Sequence, residues 1–319
     1  MKTRDLAKII TFYGRFMPTY TKIGYWARRL SWGRNPPLDF SGQTWLITGA
    51  SLGLGAAMMK AAAEAGANVI GVARSRERLE AARQALAPDA QGRVTLETAD
   101  MSLVSGTGEL LRRLLESGRR IDVLQNNVGL LLNEMTLTDE GKETSFVTNV
   151  LSHYQLTEGL QAAGAFADDA VIVNMTSGGM YNAPLGYHNL NVTDPAKYSG
   201  KAAYAYAKRA QVALTDYWNE RWASQGIRCY VTHPGWSKTP GVKTALPVFW
   251  KIQNLILRTP RQGADTALWL CATRPQVRND AVWFDRKARP THMYDFTRKA
   301  QCTVEELVAY LEQELAEAR

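Results

Sequence analysis

Cysteine is scarce in this chain. Cys229, Cys271 and Cys302 are the only three among 319 residues, and they form no C-x-x-C pair and no metal-ligand spacing with the four histidines. That excludes a disulfide scaffold and a structural zinc site; the expectation is reduced thiols, no metal and a cytoplasmic protein. Long apolar runs are missing too. No stretch approaches the roughly 20 residues that cross a bilayer. The start, MKTRDLAKIITFYGRF, lacks the apolar core of a secretory signal. Acidic residues are nearly absent from one region: residues 1–34 hold eight Lys/Arg against Asp5 alone. The net charge of +8 is concentrated there, and the rest of the chain is close to neutral. No nucleic-acid partner is expected, because the body lacks the basic bias that such a partner selects.

What is present is an ordinary globular composition, 45% hydrophobic and 21% charged, able to bury a sizeable core. From Gln43 onward short apolar runs alternate with amphipathic stretches. The runs are Thr44–Thr48, Asn68–Ala73, Arg93–Ala99, Ile121–Gln125, Ala170–Met175, Ile227–Thr232 and Ala281–Phe284. Most are continuous Val/Ile/Leu runs, the pattern of strands buried on both faces. Helices are expected over Leu54–Ala65, Arg76–Ala87, Glu140–Ala163, Ala202–Ser224 and Gly263–Ala272, with a C-terminal helix over about 303–318. This order predicts an α/β fold, a doubly wound parallel sheet of Rossmann type in a single domain over 41–319. Residues 1–40 stand outside the alternation as a basic, aromatic arm that ends near Pro36-Pro37.

The first run leads into Thr48-Gly49-Ala50-Ser51-Leu52-Gly53-Leu54-Gly55. Glycines at a strand-to-helix turn let backbone approach a pyrophosphate seated on the helix N-terminus. The fourth run ends Asn126-Asn127-Val128-Gly129. Among thirteen tyrosines only Tyr204 has a lysine four residues on, Lys208, and a helix places both on one face. A free phenol has a pKa near ~10, and a neighbouring ammonium is expected to lower it. Ser177 closes the fifth run, with Thr176 as its rival by one residue. Gly49, Arg74, Asp100, Asn126, Ser177 and Pro234 all fall just after strands one to six. That is the edge at which open α/β sheets bind ligands. The second run ends Ala73-Arg74, with no acid to accept ribose hydroxyls and with a cation able to pair with a 2′-phosphate. The expected cofactor is NADP(H), with NAD(H) as the alternative.

These motifs resemble those of short-chain dehydrogenases/reductases: TGxxxGxG, an NNAG turn with valine in place of alanine, a serine, and Tyr-x-x-x-Lys. The resemblance implies Ser51, Leu52, Gly53, Leu54 and Gly55 around the pyrophosphate, with Asp100 and Met101 near adenine. It implies further cofactor contacts from Asn126, Asn127, Gly129, Pro234, Gly235 and Thr239, and from Tyr204 and Lys208 at the nicotinamide ribose. The implied catalytic set is Asn149, Ser177, Tyr204 and Lys208. The 27-residue interval from Ser177 to Tyr204 is longer than the family's usual one. Its insert, with Tyr187, Asn191, Asp194 and Tyr198, is similar to that of retinol-dehydrogenase-like members. TSGGMY, AYAYAKRAQVALT and HPGWSKTPGV are similar to one branch over nearly the whole chain.

Trp236, Leu246, Val248, Phe249, Trp250, Ile252 and Leu255 lie in a segment, about 236–262, that usually forms a substrate lid in this fold. Its apolar character points to a lipophilic carbonyl or alcohol. A non-catalytic dinucleotide-binding scaffold and a membrane-surface protein are the competing readings, and a homo-oligomer is compatible with each. Ile9, Phe12, Tyr13 and Phe16 recur at helical spacing in the arm, and Pro18 is expected to split the helix there. Two uses of the arm stay open: peripheral contact with an anionic membrane through residues 1–40, or packing on the body.

Overall fold

The computed structural model describes residues 16–318. One sheet of eight strands runs in the order β3-β2-β1-β4-β5-β6-β7-β8. The strands are β1 (Thr44–Thr48), β2 (Asn68–Ala73), β3 (Val94–Thr98), β4 (Ile121–Asn126), β5 (Phe166–Met175), β6 (Arg228–Thr232), β7 (Ala281–Phe284) and β8 (Lys287–Pro290). All neighbours are parallel except β7 and β8, which form an antiparallel hairpin. The reversal of strand order between β1 and β4 makes this a doubly wound α/β domain, as the alternating pattern predicted. Side chains alternate between two buried layers. Leu46, Leu124 and Ile172 enter one core, and Trp45, Ile47, Val123 and Val171 enter the other. Burial on both faces is why these strands read as continuous apolar runs.

Helices cover both faces: α1 (Lys22–Arg29), α2 (Gly53–Glu64), α3 (Arg76–Gln84) and α4 (Val104–Glu116). The next, α5, is one rod made of Thr144–Phe146, a π-helical stretch Val147–Leu151 and Ser152–Ala162. Then come α6 (Gly200–Trp222), α7 (Pro240–Ala245), α8 (Pro247–Gln253), α9 (Pro260–Thr273) and α10 (Val304–Glu317). The helix expected from Glu140 begins only at Thr144. Glu140 is used elsewhere: its carboxylate accepts from Val104 N and Ser105 N and so caps α4 from across a loop. Thr303 and Glu306 form a capping box at the start of α10, and Leu307, Leu311 and Leu315 bury its apolar stripe. Glu314 of that helix pairs with Lys142 at 2.5 Å and accepts from Asn191 at 3.1 Å, which ties the long insert beneath the C-terminus.

The arm packs on the body over its described part. Phe16, Tyr20 and Tyr25 are buried. Residues 16–20 are helical and the break falls at Thr21, three residues past Pro18. The Tyr20 ring lies 4.6 Å from His233 and 5.3 Å from Phe284 between ring centres. Ile9, Phe12 and Tyr13 lie outside the described residues.

Candidate active site

Between β1 and α2 the chain must turn sharply, and its glycines permit it. Gly49 and Gly53 hold φ of +69° and +56°, in the left-handed region that side chains disfavour. Gly55 is required for closeness instead: a Cβ there would sit 2.1 Å from Gly49 O. No side chain caps the N-terminus of α2, so its first N–H groups point outward with the positive end of the helix dipole. A helix N-terminus that no side chain caps fits a pyrophosphate. Asn127 anchors the loop, donating Nδ2 to Thr48 O at 2.8 Å. Val128, the departure from the NNAG pattern, is accommodated: its N–H donates to Thr48 Oγ1 at 3.0 Å.

A cavity of about 720 Å³ opens at this edge of the sheet. Gly49, Leu52, Gly53 and Leu54 border it, as do Asn127, Gly129, Pro234, Gly235 and Thr239. Ser177, Tyr204 and Lys208 border the same cavity. Thr176, the rival of Ser177, donates its hydroxyl to Lys208 O at 2.8 Å and so braces β5 against α6. Helical spacing on α6 sets Lys208 Nζ 5.5 Å from the Tyr204 ring centre.

The electrostatics differ from the sequence expectation. Tyr204 is half-buried, its open side toward the cavity. Burial of its hydroxyl raises the phenol pKa, and hydrogen bonding with Ser177 opposes that rise. Desolvation also lowers the Lys208 ammonium to about 7. Each group is thus biased toward its neutral form by its burial.

Asn149 lies in the π-helical stretch of α5, fully buried beside this pair. Its Nδ2 donates to Leu130 O and Ser145 O, both at 2.8 Å, and its Oδ1 accepts from Leu130 N at 3.1 Å. Gln211, which lies outside the Tyr-x-x-x-Lys motif, joins it to Lys208. Gln211 Oε1 accepts from Lys208 Nζ at 3.1 Å while its Nε2 donates to Asn149 O at 2.8 Å. The signal was available, because Gln211 follows Lys208 by three residues and therefore shares its helix face.

Other residues named from sequence fall outside the cavity wall. The Arg74 side chain is exposed beyond β2, with Nη1 4.0 Å from Asp100 Oδ2 beyond β3. Met101 is buried, and Ser51 is half-buried on the turn. Asn126 is the last residue of β4 and is fully buried. Its Nδ2 donates to Thr157 Oγ1 and Asn174 Oδ1, both at 2.9 Å, so this side chain braces the strands and does not line the cavity.

The far wall comes from segment 236–262 and from the arm. Trp236, Val242, Leu246 and Phe249 line it, together with Phe16 and Tyr20. Thr239 caps α7, accepting from Val242 N at 3.3 Å, and its methyl group faces Gly53. Arg258 locks the wall in place. Its Nε donates to Tyr20 O at 3.0 Å, and a Cβ on Gly235 would meet that Nε at 2.5 Å. Trp236 N donates to Tyr20 O at 2.8 Å, so the arm and the segment share one hydrogen-bonded frame. The arm's part in the cavity had no local sequence signal, since its partners lie more than 200 residues away.

A family model for short chain dehydrogenase matches residues 43–188. Dehydrogenase/reductase SDR family member 12 of Bos taurus is 30% identical over 97% of this chain and 98% of its own length. Retinol dehydrogenase 13 of Mus musculus is 27% identical over 76% of this chain and 75% of its own. A solved structure of an uncharacterised protein from Mycobacterium paratuberculosis superposes with TM-score 0.68 at 25% identity, covering 88% of this chain and 96% of that one.

Proposed function

Since the chain belongs to the short-chain dehydrogenase/reductase family of oxidoreductases, we propose that it exchanges hydride between NADP(H) and a lipophilic carbonyl/alcohol pair. The observation that carries this reading is the meeting of Ser177, Tyr204 and Lys208 on one cavity that the glycine turn also borders. A bound nicotinamide supplies or takes up the hydride. Tyr204, kept as the phenol by its burial, holds the proton that a carbonyl oxygen needs on reduction. Ser177 offers a hydroxyl to that oxygen as charge develops. Lys208 is held behind Tyr204 by Met175 O at 2.9 Å and by Gln211, and Gln211 is held in turn by Asn149.

Cofactor choice is assigned to Arg74. Its exposed guanidinium stands just beyond β2, next to Ala73, which leaves empty the place of an acid selective for NAD(H). The wall of Trp236, Leu246, Phe249, Phe16 and Tyr20 favours an apolar substrate, and segment 236–262 is its lid. Retinol dehydrogenase 13, named for a lipophilic alcohol, supports that choice by similarity. The test is NADPH and NADH oxidation against aliphatic and aromatic aldehydes, ketones and steroids. The expected result is NADPH-dependent turnover that increases with substrate hydrophobicity. Tight NADPH binding with no turnover on any carbonyl or alcohol would leave a dinucleotide-binding scaffold instead.

A further inference from the structure

The outer faces of α1 and α8 are apolar, and they adjoin. On α1 and the residue that ends it, Ile23, Trp26 and Leu30 follow one another by three and four residues and all are exposed, Leu30 by 89%. On α8 and the turn after it, Val248, Ile252 and Leu255 do the same, Leu255 by 78%. Lys22 N donates to Ile256 O at 2.9 Å, and Gln253 Nε2 lies 3.7 Å from Met17 Sδ, so the two faces meet edge to edge. Phe249, between the exposed positions of α8, turns inward to the cavity. Contiguous apolar surface of this kind marks an interaction site.

Charge identifies the occupant. Residues 17–38 and 234–264 contain no Asp or Glu at all. Arg28 and Arg258 are committed to Asp285, while Lys22, Arg29, Lys238, Lys243, Lys251 and Arg261 are exposed on these same two segments. A second copy of the chain meeting this patch about a two-fold axis would bring cations against cations. An anionic lipid surface has the opposite charge outside and an apolar layer just beneath, which matches both features.

We propose that α1 and α8 together form a docking surface for an anionic lipid bilayer, with the cavity wall lying directly behind it. The surface stands independently of the reaction proposed above. The test uses the full chain, sedimented with phosphatidylcholine vesicles with and without phosphatidylserine, at low and high salt. Binding is expected only with phosphatidylserine, and it is expected to weaken as salt screens it. The variant Leu30→Asp/Ile252→Asp/Leu255→Asp is expected to bind about tenfold or more weakly. Its far-UV circular dichroism and melting temperature should match wild type. Lys22→Gln/Lys251→Gln should lose part of the salt dependence. Three results overturn the proposal: no binding of wild type at low salt, full binding by the triple Asp variant, or a dimer that this variant dissolves while vesicles are ignored.

Discussion

Arg258 and Asp285 form a two-pronged ion pair, with Nη1–Oδ1 at 2.6 Å and Nη2–Oδ2 at 2.9 Å, both side chains only 1% exposed. Asp285 also accepts from Arg28 Nε at 2.5 Å, so one carboxylate joins the arm, the segment after β6 and the β7–β8 hairpin. Arg258 completes the join by donating to the Thr19 and Tyr20 carbonyls.

Asp285→Ala should therefore destabilise the protein strongly. Removing one member of a buried pair leaves an uncompensated charge and costs about 3–5 kcal/mol. Two guanidinium groups lose their partner here, and the arm loses its anchor. Urea unfolding followed by tryptophan fluorescence measures the loss. A midpoint unchanged from wild type would show that the clamp contributes nothing.

Removing residues 1–32 should have a similar outcome by a different route. Phe16, Tyr20 and Tyr25 would leave apolar surface bare on His233, Trp236 and Phe284. The expected result is aggregation or a clearly lowered melting temperature. A soluble truncated chain with the wild-type melting temperature and substrate KM would contradict the arm's place in the cavity wall.

Arg74→Ala should weaken NADPH and leave NADH nearly unchanged. Arg74 is exposed and its nearest acid is 4.0 Å away, so the guanidinium can turn toward a phosphate at little cost. A charge-assisted hydrogen bond contributes about 1.5–3 kcal/mol, roughly a tenfold to hundredfold change in affinity. Fluorescence titration of both cofactors decides it. Equal affinity of wild type for NADH and NADPH rules out this role for Arg74.

The central sheet was legible because its signals are local. β1, β2 and β7 begin and end at the predicted residues, where apolar runs meet polar or glycine-rich turns. β8 was not legible: KARP has no strand pattern, and its hairpin turn places Asp285 and Arg286 at positive φ, a conformation that Arg286 does not advertise. Helix α4 was obscured by Gly106 and Gly108, which weaken its propensity, while Leu110 and Leu114 bury it in the core. Spacing placed Ser177, Tyr204 and Lys208 on one cavity, since strand ends and helix faces follow from sequence. The inward turn of the Asn126 side chain was not legible, because a strand-end position does not reveal which way the side chain points. The arm's aromatic residues suited packing and membrane contact equally. Only partners distant in sequence, such as His233 and Phe284, reveal the packing of Tyr20.

Gln211 should set the pH response of Lys208. Burial lowers that ammonium to about 7, so it is charged below that pH and neutral above. If the charged form assists Tyr204, kcat/KM for carbonyl reduction falls as pH rises through about 7. Gln211→Leu removes an acceptor 3.1 Å from the ammonium, which disfavours the charged form further and moves the fall to lower pH. Gln211→Glu adds a negative charge and moves it to higher pH. A merely structural role for Gln211 predicts no such opposed shifts, so coincident profiles for the two variants would refute the positioning role.

Tyr204→Phe should remove turnover while the fold and NADPH binding persist. The substitution deletes one hydroxyl at the cavity wall and leaves a ring of the same shape, so packing on α6 is kept. Losing a positioned acid costs typically about 10²–10⁴-fold in rate. Ser177→Ala should give a loss of about 10²–10³-fold, because the developing oxygen charge would lose one donor. The pair should be markedly non-additive. Both hydroxyls are assigned to the same carbonyl oxygen and border the same cavity, so removing either one already disrupts the other's role. Single-turnover reduction with bound NADPH separates chemistry from binding. If Tyr204→Phe reduces any accepted carbonyl at the wild-type rate, another group supplies the proton and the assignment fails.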